Sequence, residues 1–163
     1  MTITLTNKET SLLKDQQNHE KVCIQKYQTY ASQATDPELK QLLNTYAGQE
    51  QQHLNTINQM LNGEVPTLSS SSSQSNQQSD VQSSVTTSPS TSYQVATNNQ
   101  NDSDFCNDML MTEKFVSGAY DTAIFECVDT NLRQALNHIQ KEEQGHGEGL
   151  FQYMQANGMY NPQ

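Results

Sequence analysis

Positive charge is what this chain has least of. Its 163 residues carry 8 Lys and Arg against 18 Asp and Glu, a formal net charge of −10. A nucleic-acid or anionic-membrane partner requires a basic stripe, and so few cations do not supply one. Long apolar runs are missing too: no uninterrupted stretch approaches the roughly 20 residues of a membrane-spanning helix. The opening MTITLTNKET has neither the basic stretch nor the apolar run of a secretory signal, so the protein is expected to be made and kept inside the cell. Cysteine is scarce. Cys23, Cys106 and Cys127 form no disulfide framework and no Cys-x-x-Cys site, and are expected as small, half-buried core thiols.

What is there falls into three parts. From Thr67 to about Asp102 the chain is Ser, Gln, Thr and Asn with scattered Val, including the run SSSSS. It lacks periodicity and has too little apolar surface to offset the entropy of ordering, so a flexible linker is expected over 67–102. The flanks, 1–66 and 103–163, each read as a pair of helices, and the two hairpins are expected to form one bundle domain. Thr6-Asn7-Lys8-Glu9 is a capping box that opens the first helix. Its apolar stripe runs Leu13, Cys23, Ile24, Tyr27, Ala31, Ala34. Asp36 then caps a second helix with Pro37 in its first position. That helix follows Leu39, Leu43, Tyr46, Ala47, Leu54, Ile57 and Leu61 to Gly63. A third helix is expected from Ser103, with Met109, Leu110, Val116, Tyr120, Ala123 and Cys127 inward. Asp129 caps the fourth, whose stripe is Leu132, Leu136, Ile139, Leu150 and Tyr153, before Gly158. Short turns at Asp36 and Asp129 make both pairs antiparallel.

The flanks are a repeat. A shift of 93 residues, without a gap, lays Glu20 on Glu113, Tyr27 on Tyr120, Asp36 on Asp129 and Leu43 on Leu136. It also lays Asn44 on Asn137, Glu50 on Glu143 and His53 on His146. Caps, core and polar residues in one register imply two equivalent hairpins. A helix of about 26 residues is roughly 39 Å long, and an extended linker of about 30 residues reaches further. The expected fold is therefore all-α: a ferritin-like four-helix bundle of two repeated antiparallel hairpins with a long crossover linker.

Polar residues interrupt the apolar stripes at matching places. Glu20 lies seven before Tyr27, and Glu50 and His53 sit between Ala47 and Leu54. Glu113 falls between Leu110 and Val116, and Glu143 and His146 between Ile139 and Leu150. Residues three apart share a helix face, so each Glu-x-x-His points both side chains inward. Buried carboxylates are costly unless paired or bound to metal. Most of the eight basic residues fall away from the stripes, whereas two divalent ions balance four carboxylates. Carboxylate and imidazole donors suit iron or manganese. Glu20, Glu50, His53, Glu113, Glu143 and His146 are the expected ligands. His19, His138 and Glu142 read as surface residues. Tyr27 and Tyr120 read as core filling, with a hydrogen bond to a ligand as the alternative.

The stretch from Glu20 to Leu61 (EKVCIQKYQTYASQA…ELKQLLNTYAGQEQQHLNTINQML) resembles the first hairpin of rubrerythrin-type ferritin-like proteins. The second flank (NDMLMTEKFVSGAYDTAIFECVDTNLRQALNHIQKEEQGHGEGLFQYMQANGMY) resembles the spore coat protein F family of endospore-forming bacteria. The first resemblance implies a site for two metal ions at the six positions named. The second implies a structural or accessory component of the spore coat, synthesised in the mother-cell cytoplasm, with other coat proteins and self-association as its partners. The Ser- and Gln-rich middle and accessible thiols suit adhesion or cross-linking there. The alternative is a di-iron or di-manganese oxidoreductase: a ferroxidase, a peroxide-consuming enzyme or a manganese catalase-like protein. Rubrerythrins carry a Cys-x-x-Cys unit for electron delivery and this chain has none, so whether it is an enzyme is left open by the sequence.

Overall fold

The structure, a computed structural model, describes residues 2–66 and 99–162. Four helices account for nearly all of them: α1 (Asn7–Gln33), α2 (Pro37–Leu61), α3 (Asn99–Glu126) and α4 (Thr130–Ala156). An isolated antiparallel bridge between Thr2 and Glu64 ties the start of the chain to the end of α2.

The local signals act where the sequence places them. Thr6 is the N-cap of α1 and exchanges side-chain and backbone bonds with Glu9. Asp36 caps α2 ahead of Pro37, and Asp129 caps α4. Each such cap stabilises its helix by about 1 kcal/mol. Past α2 the chain turns at Gly63, whose φ of +77° a side chain would resist. One boundary differs. α3 begins at Asn99, so 99–102 are helical and not part of a linker. The reason is tertiary: Asp102 is buried and its carboxylate accepts from the backbone N–H of Thr35 (3.0 Å) and Asp36 (3.0 Å). The rest of the expected linker lies outside the described residues.

Packing orders the helices as an all-α four-helix bundle. α1 pairs with α2 and α3 with α4, and the hairpins meet α1 on α3 and α2 on α4. Across the α1–α3 seam Glu9 meets Val128, Tyr27 meets Glu113, and Thr35 meets Asp102, so these helices run antiparallel. α2 and α3 are therefore parallel, and the chain leaves one and joins the other at opposite ends of the bundle. The apolar core is split in two. Leu13, Ile57, Met60, Val116, Leu132 and Leu136 fill the end near the α3–α4 turn. Ala31, Leu39, Leu43, Met109, Leu150 and Met154 fill the end near the α1–α2 turn. Between these plugs sit the polar residues. All three cysteines are buried, not half-buried or accessible, and burial holds each thiol above its ordinary pKa. They offer no surface for cross-linking.

Candidate metal centre

Each helix delivers its donors from the turn that faces the bundle axis. Glu20 comes from α1, Glu50 and His53 from α2, Glu113 from α3, and Glu143 and His146 from α4. None is more than 2% exposed. Ligand atoms within 4.8 Å of one another form two groups, Glu20, Glu50, His53, Glu143 and Glu50, Glu113, Glu143, His146. The groups share Glu50 and Glu143, one from each hairpin. Donors about 2.1 Å from one ion are about 3.0 Å apart when adjacent and about 4.2 Å when opposite in an octahedron. Nδ1 of His53 stands 3.1 Å from Glu143, 3.3 Å from Glu50 and 3.7 Å from Glu20. Nδ1 of His146 stands 3.1 Å from Glu50, 3.4 Å from Glu143 and 3.6 Å from Glu113. With this spacing each group could hold a metal ion.

Three carboxylate oxygens here, Oε2 of Glu20, Glu113 and Glu143, are buried without a hydrogen bond. An unsatisfied buried acceptor costs about 1–3 kcal/mol, and a cation bound among them could offset that cost. The donor set fits divalent iron or manganese on the same ground. Protons can supply the balancing charge instead. Burial raises Glu20 and Glu113, the latter to about 9. Burial works against the imidazolium of His146, but bonds to Glu113, Glu143 and Glu50 outweigh it and push it up to about 11. The same contest leaves His53 well above its ordinary value. Burial would also raise Glu50 and Glu143, but their imidazole bonds win and both are lowered. Two protonated acids, two carboxylates and two imidazoliums would balance one another without metal, and two divalent ions could displace those four protons.

The tyrosines do more than fill the core. Tyr27 donates its hydroxyl to Glu113 and Tyr120 donates to Glu20, each reaching from one hairpin to the glutamate of the other. Tyr120 holds the Glu20 oxygen opposite the one nearest His53, whereas Tyr27 holds the same Glu113 oxygen that lies 3.6 Å from His146 Nδ1, and each bond fixes its carboxylate's orientation.

Residues 101–163 match the family model of the Coat F domain. Over those residues the second hairpin is similar to the Coat F family. The uncharacterized protein YusN of Bacillus subtilis (strain 168) is 36% identical over 66 residues, which are 40% of this chain and 60% of that protein. The alignment thus spans less than two thirds of the relative's length. No solved structure matches the chain significantly.

The hairpin matched by the Coat F model contributes Glu113, Glu143 and His146, and the remaining three residues of the cluster come from the hairpin outside the matched residues. Sequence reasoning missed two neighbours. Glu142 is half-buried and accepts from His53 Nε2 at 2.8 Å, although it reads as a surface residue. Gln49 does the same for His146 Nε2 at 2.7 Å. The repeat held the clue, because 49 and 142 are equivalent positions. His19 and His138 are half-buried at the rim, and neither belongs to a donor group. On the α3–α4 face a groove lined by Leu110, Lys114, Ser117 and Gly147 reaches down to Glu113 and Glu143.

Proposed function

We propose that this chain is a component of the bacterial spore coat, built on a ferritin-like bundle that holds two iron or manganese ions. The observation that carries the metal site is the pair of buried donor groups sharing Glu50 and Glu143, with three carboxylate oxygens that accept no hydrogen bond. The Coat F match supports the coat assignment. Glu20 and His53 would hold one ion, Glu113 and His146 the other, and Glu50 and Glu143 would bridge them. Bound ions would supply Lewis acidity and redox capacity in a water-poor core. Synthesis in the mother cell, other coat proteins as partners, and self-association belong to this reading. So does the division of the chain into two hairpins of one domain joined by a linker, now taken over 67–98.

The test is metal analysis of protein purified anaerobically from spore and vegetative fractions. About two ions per chain are expected in the spore-fraction protein, and none in a Glu50→Gln/Glu143→Gln variant. Wild-type protein that retains no metal overturns the site, and protein confined to vegetative cytosol overturns the coat assignment.

A second reading is a di-iron or di-manganese oxidoreductase: ferroxidase, peroxide-consuming or manganese catalase-like. The α3–α4 groove favours it, because it leads a small molecule to the two glutamates. Peroxide or dioxygen turnover by the metal-loaded protein decides it.

A further inference from the structure

The 93-residue repeat makes the polar contacts occur twice, with the hairpins exchanged. Tyr27 with Glu113 recurs as Tyr120 with Glu20. Glu9 with the Val128 N–H recurs as Asp102 with the Thr35 N–H. One contact recurs with its chemistry changed. His53 Nε2 lies 2.8 Å from a carboxylate, Glu142, and His146 Nε2 lies 2.7 Å from an amide oxygen, Gln49. In both, the outward nitrogen is tied to the partner while Nδ1 faces the central carboxylates. A neutral imidazole so held keeps its proton on Nε2 and offers the Nδ1 lone pair. Glu142 is itself flanked on its other oxygen by His138 Nε2 at 3.5 Å, where the repeat places Thr45 beside Gln49.

We propose that Glu142 and Gln49 make the two ion positions unequal, so that the Glu20, Glu50, His53, Glu143 position fills first and holds its ion more tightly. The inference rests on the di-metal reading above. A carboxylate accepting from a ligating imidazole raises its basicity and places a further negative charge behind it. An amide orients the ring equally well but supplies neither. Such outer partners change metal affinity by about 10- to 100-fold. Glu142 and Gln49 are positioning residues that act through the histidines.

Manganese(II) titration of the chelated, full-length protein, followed by calorimetry, tests this. Wild type takes up its ions in two steps separated by about tenfold or more. Glu142→Gln weakens the first step and draws the two together, while Gln49→Glu tightens the second. In the exchanged variant, Gln49→Glu/Glu142→Gln, the tight step is lost on adding His146→Gln and survives His53→Gln, the reverse of the wild-type background. A purely structural role would not transfer tight binding from one histidine to the other. Two equal steps in wild type, or no reversal in the exchanged variant, overturns the inference while leaving the metal site standing. Wild type that binds no manganese removes the di-metal reading itself.

Discussion

At the scale of single residues the centre is a set of protonation equilibria. With metal chelated, Glu113 moves from its ordinary 4.5 to about 9 and His146 from 6.5 to about 11 on folding. Both are raised, so their contribution is full below the lower value and is lost as pH rises through the higher one. Glu50 and Glu143 are lowered, so their contribution is lost as pH falls below the ordinary carboxylate range. Chelated protein should therefore be most stable near mildly acidic pH, and its Tm should fall steadily from pH 6 to pH 9. Metal-loaded protein has exchanged those protons for ions and should hold its Tm over the same span. Thermal scans of both forms check this. Tyr27→Phe and Tyr120→Phe each leave a buried glutamate oxygen without its donor. Each should cost about 1–3 kcal/mol in urea unfolding of the chelated protein, and by similar amounts because the contacts are equivalent. The burial of the six glutamates and histidines was legible in the sequence, because polar residues inside an apolar stripe stand out. Glu142 and Gln49 were not. A residue on the flank of a helix becomes relevant only once the facing helix supplies an imidazole.

At the scale of elements, each hairpin turn is tied by an acid from the other hairpin. Asp102 accepts from Thr35 N, Thr35 Oγ1 and Asp36 N, and Glu9 accepts from Val128 N at 2.7 Å. Glu9 and Asp102 are 93 apart, so this too follows the repeat. Asp102→Ala removes the shared acceptor of three donors at a part-buried turn and should lower stability by about 2 kcal/mol by denaturant titration. The exposed Lys8–Glu126 pair, by contrast, should be nearly silent when Lys8 is replaced by Ala. Caps and turns were readable locally because each uses residues within four positions. The start of α3 was not, since Ser, Asn and Asp composition argues against helix. What orders 99–102 is a contact with the opposite turn. The α3–α4 groove is likewise an element-scale feature. Gly147 lines it where the repeat has the buried Leu54 in the first hairpin. Gly147→Leu should close it, slowing any turnover by the metal-loaded protein several-fold while leaving metal content unchanged.

At the scale of the whole molecule, α2 and α3 run parallel, so the end of α2 and the start of α3 lie at opposite ends of the bundle, roughly 38 Å apart for a 25-residue helix. Replacing 67–98 by a Gly/Ser segment of about 20 residues should preserve helical content and the hydrodynamic size of the wild type. A segment of about eight residues reaches only ~29 Å, and should drive the hairpins to pair between chains, visible as dimer by light scattering. Residue pattern by itself determined the helices, their caps, the duplication and the inward glutamates and histidines, because those depend on spacing along one chain. Tertiary structure alone decided which glutamates are shared, which oxygens accept no hydrogen bond, and that one histidine is backed by a carboxylate and its twin by an amide. Those are distances between helices, and they exist only once the two hairpins close on each other.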